Sequence, residues 1–458
     1  MKKGILGGMF LAFLLVAGTV QIVSAPAGRM IGINVVLNAD IMPYQLAVLE
    51  SYGKVRDVVY EIKAVTLQAP ETKLAEIQRL PFVLAANPDA ERQGAPVDTV
   101  PATNFSNGMN TWDLDAVNVT DFGLGRTVGY DGSGVYVAVL DTGLVDSWRQ
   151  YFPQERIAAE YAKCFGGGGG DNGNVSEQPN KWEHDQNSHG THVTSTILGY
   201  NYWGGVSING VAPMATIIPV KILSQAGWGW SSVIARGIVY IADLKAGVLA
   251  GSPVVINMSL SGRALDAMEK AAIDYAIDEG VIIVAAAGNY GTAGMGYPGA
   301  YAPVISVGAS GWVGEWYPVG NGGWWYNRDV ADPTNAADFY IGDFSSREKA
   351  GQDLDVIAPG TWVVGPYQTN SGQISYYFLG GTSMASPHVA GIVALMAQKN
   401  SALTAAQAET ILENSAIKIL AGSRIVYLPN GVTMNVSWGS DATGAGLVRA
   451  DFALALVF

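Results

Sequence analysis

Cysteine is almost missing from this chain. One thiol, Cys164, stands in 458 residues, so no intramolecular disulfide can form. It leads into a run of five glycines with no histidine motif beside it, the setting of an incidental thiol rather than a nucleophile. Basic residues are scarce as well: 26 Lys and Arg against 39 Asp and Glu leave a formal net charge of −13. That balance argues against nucleic acid and against an anionic membrane surface as partners. Histidine occurs four times and never before a glutamate, which removes the H-E-x-x-H pattern of a hydrolytic zinc helix. The motif D-[ST]-G occurs once, so a single chain cannot build the two-carboxylate site of an aspartic protease. Beyond the N-terminal apolar stretch, no segment is long and apolar enough to span a bilayer.

What is present is a hydrophobic, glycine-rich chain with room for more than one folding unit. Lys2 and Lys3 precede an apolar stretch that ends in small residues around Val23, Ala25 and Ala27. This predicts a secretory signal peptide over 1–25, with an uncleaved anchor as the alternative. Residues 29–93 read as a small α+β unit in the order β-α-β-α-β. "RMIGINVVLN", "KVRDVVYEIKAVTLQ" and "FVLAAN" are its strands, and "MPYQLAVLESYG" and "PETKLAEIQRL" its helices. Pro88 to Asn110, rich in Pro, Gly, Asp, Asn and Ser, reads as an exposed linker.

The remainder alternates short apolar strands, "VYVAVL", "TIIPVKIL", "PVVINMSL", "VIIVAAA" and "VISVGA", with helix-like stretches. Such continuous apolar runs indicate a parallel sheet covered by helices on both faces, with chemistry expected at the carboxyl ends of its strands. Asp141 directly follows the first of them. Three of the four histidines fall in "HDQNSHGTH", His184 to His192. Metal binding and acid–base catalysis both suit such a cluster. The catalytic reading needs one histidine at an exposed first helical turn, which His189 supplies behind the potential cap Ser188, with His192 as scaffold. In "FLGGTSMASPHVAGIVALMA", Ser383 opens a helix beside Gly380, Gly381 and Ala385, with Pro387 expected in the first turn. Free backbone N–H groups and the helix dipole there suit a developing oxyanion. A serine hydroxyl needs a base, and the base an orienting carboxylate. Asn289, after "VIIVAAAG", offers a side-chain donor for the oxyanion.

Together "AVLDTG", "NSHGTHV", "AAAGN" and "GGTSMASPHVAG" resemble the Asp, His, Asn and Ser motifs of the subtilisin-like serine proteases, the subtilases, in their usual order. "GVAPMATI", "YPGAYAPVISVGA", "DVIAPG" and "GAGLVRA" extend the resemblance over most of 111–456. It implies a three-layer α/β/α fold with a mostly parallel sheet over 101–458. It also implies peptide-bond hydrolysis, with Asp141 orienting, His189 as base and acid, Ser383 attacking and Asn289 binding the oxyanion. Residues 26–100 resemble, more weakly, the family's propeptide, a ferredoxin-like inhibitor and chaperone cut off by the enzyme itself between Pro88 and Asn110. By the same resemblance, Ser259, Leu260, Ser261 and Gly262 pair with substrate backbone and, with Ala286 and Gly288, line the pocket for the residue before the cut. Nothing charged lies in these segments and Tyr290 follows, so apolar or aromatic side chains are expected there without sharp selectivity. No cofactor is needed for such chemistry. Structural calcium is possible in this family, and Asp171, Asn172, Asn174 and Asp185 offer hard oxygens, with a flexible loop as the alternative. "YNYWGGVSING", where a family calcium loop would fall, lacks Asn or Asp in its middle. The expected molecule is a secreted monomer acting on proteins and peptides, restrained by its own propeptide and free of the membrane once the signal is removed. Trp312, Trp316, Trp324 and Trp325 mark an insertion over 312–343, whose simplest reading is packing on itself.

Overall fold

A computed structural model describes residues 28–102, 112–121, 125–166, 175–178, 180–202, 206–316, 330–370 and 373–458. The signal-peptide stretch, Asp171, Asn172, Asn174, Trp324 and Trp325 lie outside the described residues.

The N-terminal unit comprises β1 (Met30–Leu37), α1 (Pro43–Glu50), β2 (Lys54–Val59), β3 (Ala64–Pro70), α2 (Leu74–Ile77) and β4 (Val83–Pro88). Its strands form one antiparallel sheet in the order β2-β3-β1-β4. The stretch read as one strand, Lys54 to Gln68, is therefore a hairpin, and the order is β-α-β-β-α-β. The turn at Tyr60–Lys63 contains no Gly or Pro; Lys63 itself takes a left-handed backbone, with φ of 54°. Without a breaker residue the β-branched run hides its own corner. One face of this sheet buries Ile33, Val35 and Leu67 against the two helices, which contribute Leu49 and Ile77. From the other face, Val36, Val59 and Ala64 join the core of the larger unit.

The larger unit is built on β7 (Tyr136–Asp141), β8 (Lys163–Cys164), β11 (Thr216–Lys221), β13 (Val254–Met258), β14 (Ile282–Ala286), β15 (Ile305–Trp312), β16 (Phe339–Ile341) and β17 (Val356–Pro359). Their order is β16-β15-β14-β13-β7-β11-β8, with β17 beside β15, and every pairing except β15 with β16 is parallel. A separate hairpin is formed by β9 (Gly199–Tyr202) and β10 (Val206–Asn209). On one face pack α4 (His189–Leu198) and α7 (Thr382–Lys399); on the other pack α5 (Ser231–Ala246) and α6 (Ala267–Asp278). This is the three-layer α/β/α arrangement with a mostly parallel sheet that the apolar strands predicted, each strand buried on both sides. Among the described residues no helix is long and apolar enough to cross a membrane.

One expectation changes. Over 88–102 the stretch after Pro88 is not an exposed linker, and 103–110 lie outside the described residues. β5 (Glu91–Gln93) pairs antiparallel with β12 (Trp228–Trp230), and β6 (Asp98–Ala102) pairs with β19 (Gln373–Gly380), itself beside β18 (Val363–Asn370). Main-chain ladders need no side-chain periodicity, so composition alone could not show them. In the 312–343 insertion, of which residues 317–329 lie outside the described ones, Trp316 packs on Trp362 and Phe378, at ring separations of 5.5 and 5.1 Å. Beside it the buried Glu315 accepts from Tyr340 and Thr361, and burial pushes its carboxyl up to about 8.

Candidate active site

Asp141 ends β7, Ser259 follows β13, and Asn289 lies three residues beyond β14, so all three stand at carboxyl ends of the central sheet. There α4 and α7 present His189 and Ser383 in their first turns. The buried His189 ring holds Nδ1 2.8 and 2.9 Å from the two Asp141 carboxylate oxygens. Thr142 N–H also donates to Asp141, at 2.6 Å. This fixes the imidazole so that Nε2 faces away from Asp141, and Nε2 has no hydrogen-bond partner. Ser383 Oγ donates instead to the Ser259 carbonyl at 3.1 Å. Rotation about one side-chain bond turns that hydroxyl between acceptors, and such contacts tighten only with substrate in place.

The helix caps differ from expectation. Ser188 sits at φ of 71° and makes no cap; its Oγ accepts from Gln368 N–H. The free N–H groups of α4 are taken by Asn187 Oδ1, from His189, and by Thr142 Oγ1, from Gly190. Pro387 lies in the second turn of α7, not the first. Having no N–H, it leaves the Ser383 carbonyl without its helical donor. Ser259 Oγ donates to that carbonyl at 2.8 Å, tying the nucleophile's backbone to the end of β13.

Asp185, considered as a calcium ligand, faces the core. It accepts from Thr142 Oγ1 and from the N–H groups of Asn187 and Ser188, and Lys221 Nζ lies 3.8 Å away. Burial pushes its carboxyl up to about 6. So engaged, its oxygens support the loop before His189. The other histidines separate as well. His192 is fully buried, with Nε2 at 3.2 Å from the Val363 carbonyl, and burial holds it down to about 3, so it is neutral scaffold. His184 is exposed, 3.1 Å from Asp146. Among the described residues, the one carboxylate cluster with metal-ligand spacing is Asp353, Asp355 and Glu409, and it contains no histidine. Asp355 is buried, and its Oδ1 has no partner. Hard oxygens with an unsatisfied buried member fit a cation such as calcium.

Chain from the N-terminal unit crosses this site. Gln93 and Ser261 exchange both backbone hydrogen bonds at 2.9 Å, and Gly94 N–H donates to Gly227. A Cβ on Gly94 would stand 2.7 Å from Leu223 Cδ1 and 2.9 Å from the Ser259 oxygen, so glycine is needed there, and the backbone passes 3.4 Å from His189 Cε1 measured at that Cβ position. Asn289 Oδ1 accepts from Thr382 N–H and Oγ1 at 2.9 and 3.0 Å, which aims Nδ2 into the cleft. Nδ2 faces the Ala95 carbonyl at 3.5 Å. Val97 N–H donates to the Gly380 carbonyl at 2.7 Å.

The predicted pocket residues divide. Ser261 and Gly262 border the crossing chain, whereas Leu260 and Ala286 are buried in the core clusters and the fold. Gly288 takes φ of 99°, and the Tyr290 ring lies against both it and Gly296, within 3 Å of where their Cβ atoms would stand. Tyr290 Oη lies 3.2 Å from Ser261 Oγ, and the Arg263 guanidinium sits 3.9 Å above the ring. An aromatic ring thus lines the segments that were expected to border the pocket.

An oriented imidazole, a serine at a helix N-terminus and an aimed amide, gathered at strand ends of an α/β/α sheet, define a hydrolase of the serine class. Residues 132–447 match the Subtilase family, Peptidase_S8, and the chain belongs to that family. It is 33% identical to Subtilisin DY of Bacillus licheniformis over 295 residues, 64% of this chain and 86% of that protein. It is 33% identical to Subtilisin Savinase of Lederbergia lenta over 325 residues, 71% of this chain and 92% of that protein. Fervidolysin from Fervidobacterium pennivorans, described as a keratinolytic enzyme related to subtilisin, shares the fold at a TM-score of 0.63 and 24% identity, over 93% of this chain and 61% of fervidolysin. Sphericase aligns at 28% identity and a TM-score of 0.52, over 76% of this chain and 99% of that one. The chain is accordingly a serine endopeptidase, of a class whose chemistry uses no cofactor.

Proposed function

We propose that this protein is an exported, self-processing zymogen of such an endopeptidase. In this reading Ser383 Oγ attacks the substrate carbonyl while His189 Nε2 takes its proton, and Asp141 holds the imidazole and stabilises its charged form. The tetrahedral oxyanion lies between Asn289 Nδ2 and the Ser383 N–H. His189 then protonates the leaving nitrogen, and water hydrolyses the acyl-enzyme in the same two steps. The observation that carries the reading is the chain in the cleft: residues 91–97 run past His189, with the Ala95 carbonyl facing Asn289. The bond presented is Ala95–Pro96, whose leaving nitrogen becomes the secondary amine of a new N-terminus. Residues up to Ala95 act as inhibitor until they depart. Lys2, Lys3 and the apolar stretch behind them support export. Tyr290 narrows the expected preference before the cut from apolar or aromatic to small apolar side chains, of which Ala95 is the built-in example.

A fluorophosphonate that reacts with activated serines labels Ser383 in the processed protein. A processed protein that stays unlabelled, as read by mass spectrometry, overturns the proposal.

A structural calcium ion is part of this reading. Asp353, Asp355 and Glu409 would hold it and it would offset their mutual repulsion, with no part in the reaction. Calcium then raises the thermal midpoint of the native protein, and Glu409→Gln shrinks the gain. Identical midpoints in calcium and in chelator would remove calcium from the account.

A further inference from the structure

Four residues before the proposed cut stands Arg92, and it is the one ion-paired side chain that the crossing segment Glu91–Val97 buries completely. Its Nε donates to Glu269 Oε1 at 3.0 Å, a terminal nitrogen donates to Glu269 Oε2, and the same nitrogen donates to the Ala264 carbonyl at 3.0 Å. Arg92 is 0% exposed and Glu269 1%. The passage exists because position 262 is glycine: a Cβ there would stand 2.1 Å from the Glu91 carbonyl and 2.6 Å from an Arg92 terminal nitrogen.

The two partners differ in where they belong. Arg92 lies on the segment that leaves when the zymogen matures. Glu269 lies in the first turn of α6, behind the cap that Asp266 makes to Met268 and Glu269 N–H, and stays with the catalytic unit. Departure of the segment uncovers this carboxylate beside the ladder in which Arg92 pairs with Gly229 and Gln93 with Ser261.

We infer that Glu269 makes the mature enzyme select arginine at the fourth residue before the cut, with Arg92 occupying that subsite in the zymogen. The inference rests on reading residues 91–95 as a bound substrate. A planar guanidinium satisfies both carboxylate oxygens and the Ala264 carbonyl at once. Lysine brings a point charge without the fork. A leucine strips water from Glu269 and returns no hydrogen bond, the costly case for a buried charge.

The test uses the mature enzyme and quenched peptides that share Gln-Gly-Ala before the scissile bond and differ only at the preceding residue. Arginine is expected to exceed leucine in kcat/KM by about 100-fold, with lysine between them. In a variant carrying both Arg92→Leu and Glu269→Leu, which keeps the zymogen contact matched so that maturation proceeds, leucine should equal or exceed arginine. Native enzyme that cuts the arginine and leucine peptides at equal rates overturns the inference while leaving the endopeptidase intact. Native enzyme that cuts none of the peptides, nor unfolded casein, overturns the endopeptidase reading instead.

Discussion

Ser383→Ala leaves the precursor uncut and lowers peptide hydrolysis on the order of 10⁶-fold, the scale found when the nucleophile is removed from subtilisin. The alanine keeps the helix start and the Ser259 bond to the residue 383 carbonyl, because both are backbone features. Only the attacking oxygen is lost. Asn289 still faces the Ala95 carbonyl, so weak residual hydrolysis above the water rate remains. Expressed without other proteases, the variant should show intact Ala95–Pro96 by mass spectrometry, while the native protein yields a chain beginning at Pro96. A variant trimmed at Pro96 under the same conditions would show that another enzyme makes the cut.

Arg92→Ala in the uncut Ser383→Ala protein loosens the N-terminal unit by about 3–5 kcal/mol. Both members of the pair are fully buried, so solvent does not screen the loss, and Glu269 is left as a lone carboxylate. Other groups along the same contact continue to hold. Asp89 caps α5 through Ser232 N–H and Oγ, and Arg236 grips Asp57 with two hydrogen bonds at 2.6 and 3.0 Å. Hydrogen exchange of the β1–β4 amides should therefore accelerate by about two to three and a half orders of magnitude without global unfolding. Arg92→Met combined with Glu269→Leu should recover most of that protection, because an apolar pair avoids the desolvation cost. Unchanged exchange in Arg92→Ala would show the pair to be energetically idle.

The candidate site was legible because its residues lie in contiguous motifs: Asp141, His189, Asn289 and Ser383 each sit in a short pattern that also determines the local turn. The sheet was legible because strands buried on both faces must be apolar throughout. The cleft's occupant was not. Residues 91–97 are held by main-chain pairing and by Arg92, whose partner lies 177 residues away. In sequence Glu269 is an ordinary acidic residue in a helix's first turn, where the dipole alone would explain it. The composition of Pro88 to Asn110 signals a linker, yet its Asp89 and Arg92 are buried. An aspartate and an arginine separated by two residues, within a segment otherwise poor in charge, were the available hint. That the Tyr290 ring lies against Gly288 and Gly296 is a fact of packing and not of pattern.

β6 carries a consequence for timing. Val97 and the strand behind it are paired to Gly380 and the rest of β19, downstream of the proposed cut, and belong to the catalytic unit's own sheet. Severing the bond after Ala95 therefore does not free the new amine to diffuse. It stays tethered beside the acyl group at an effective concentration in the millimolar range or above, where it competes with water for the ester. The nick can reseal until β5 unzips from β12. Activation is then a ratchet whose irreversible tooth is the departure of a strand, and its clock is a dissociation rate rather than a chemical one.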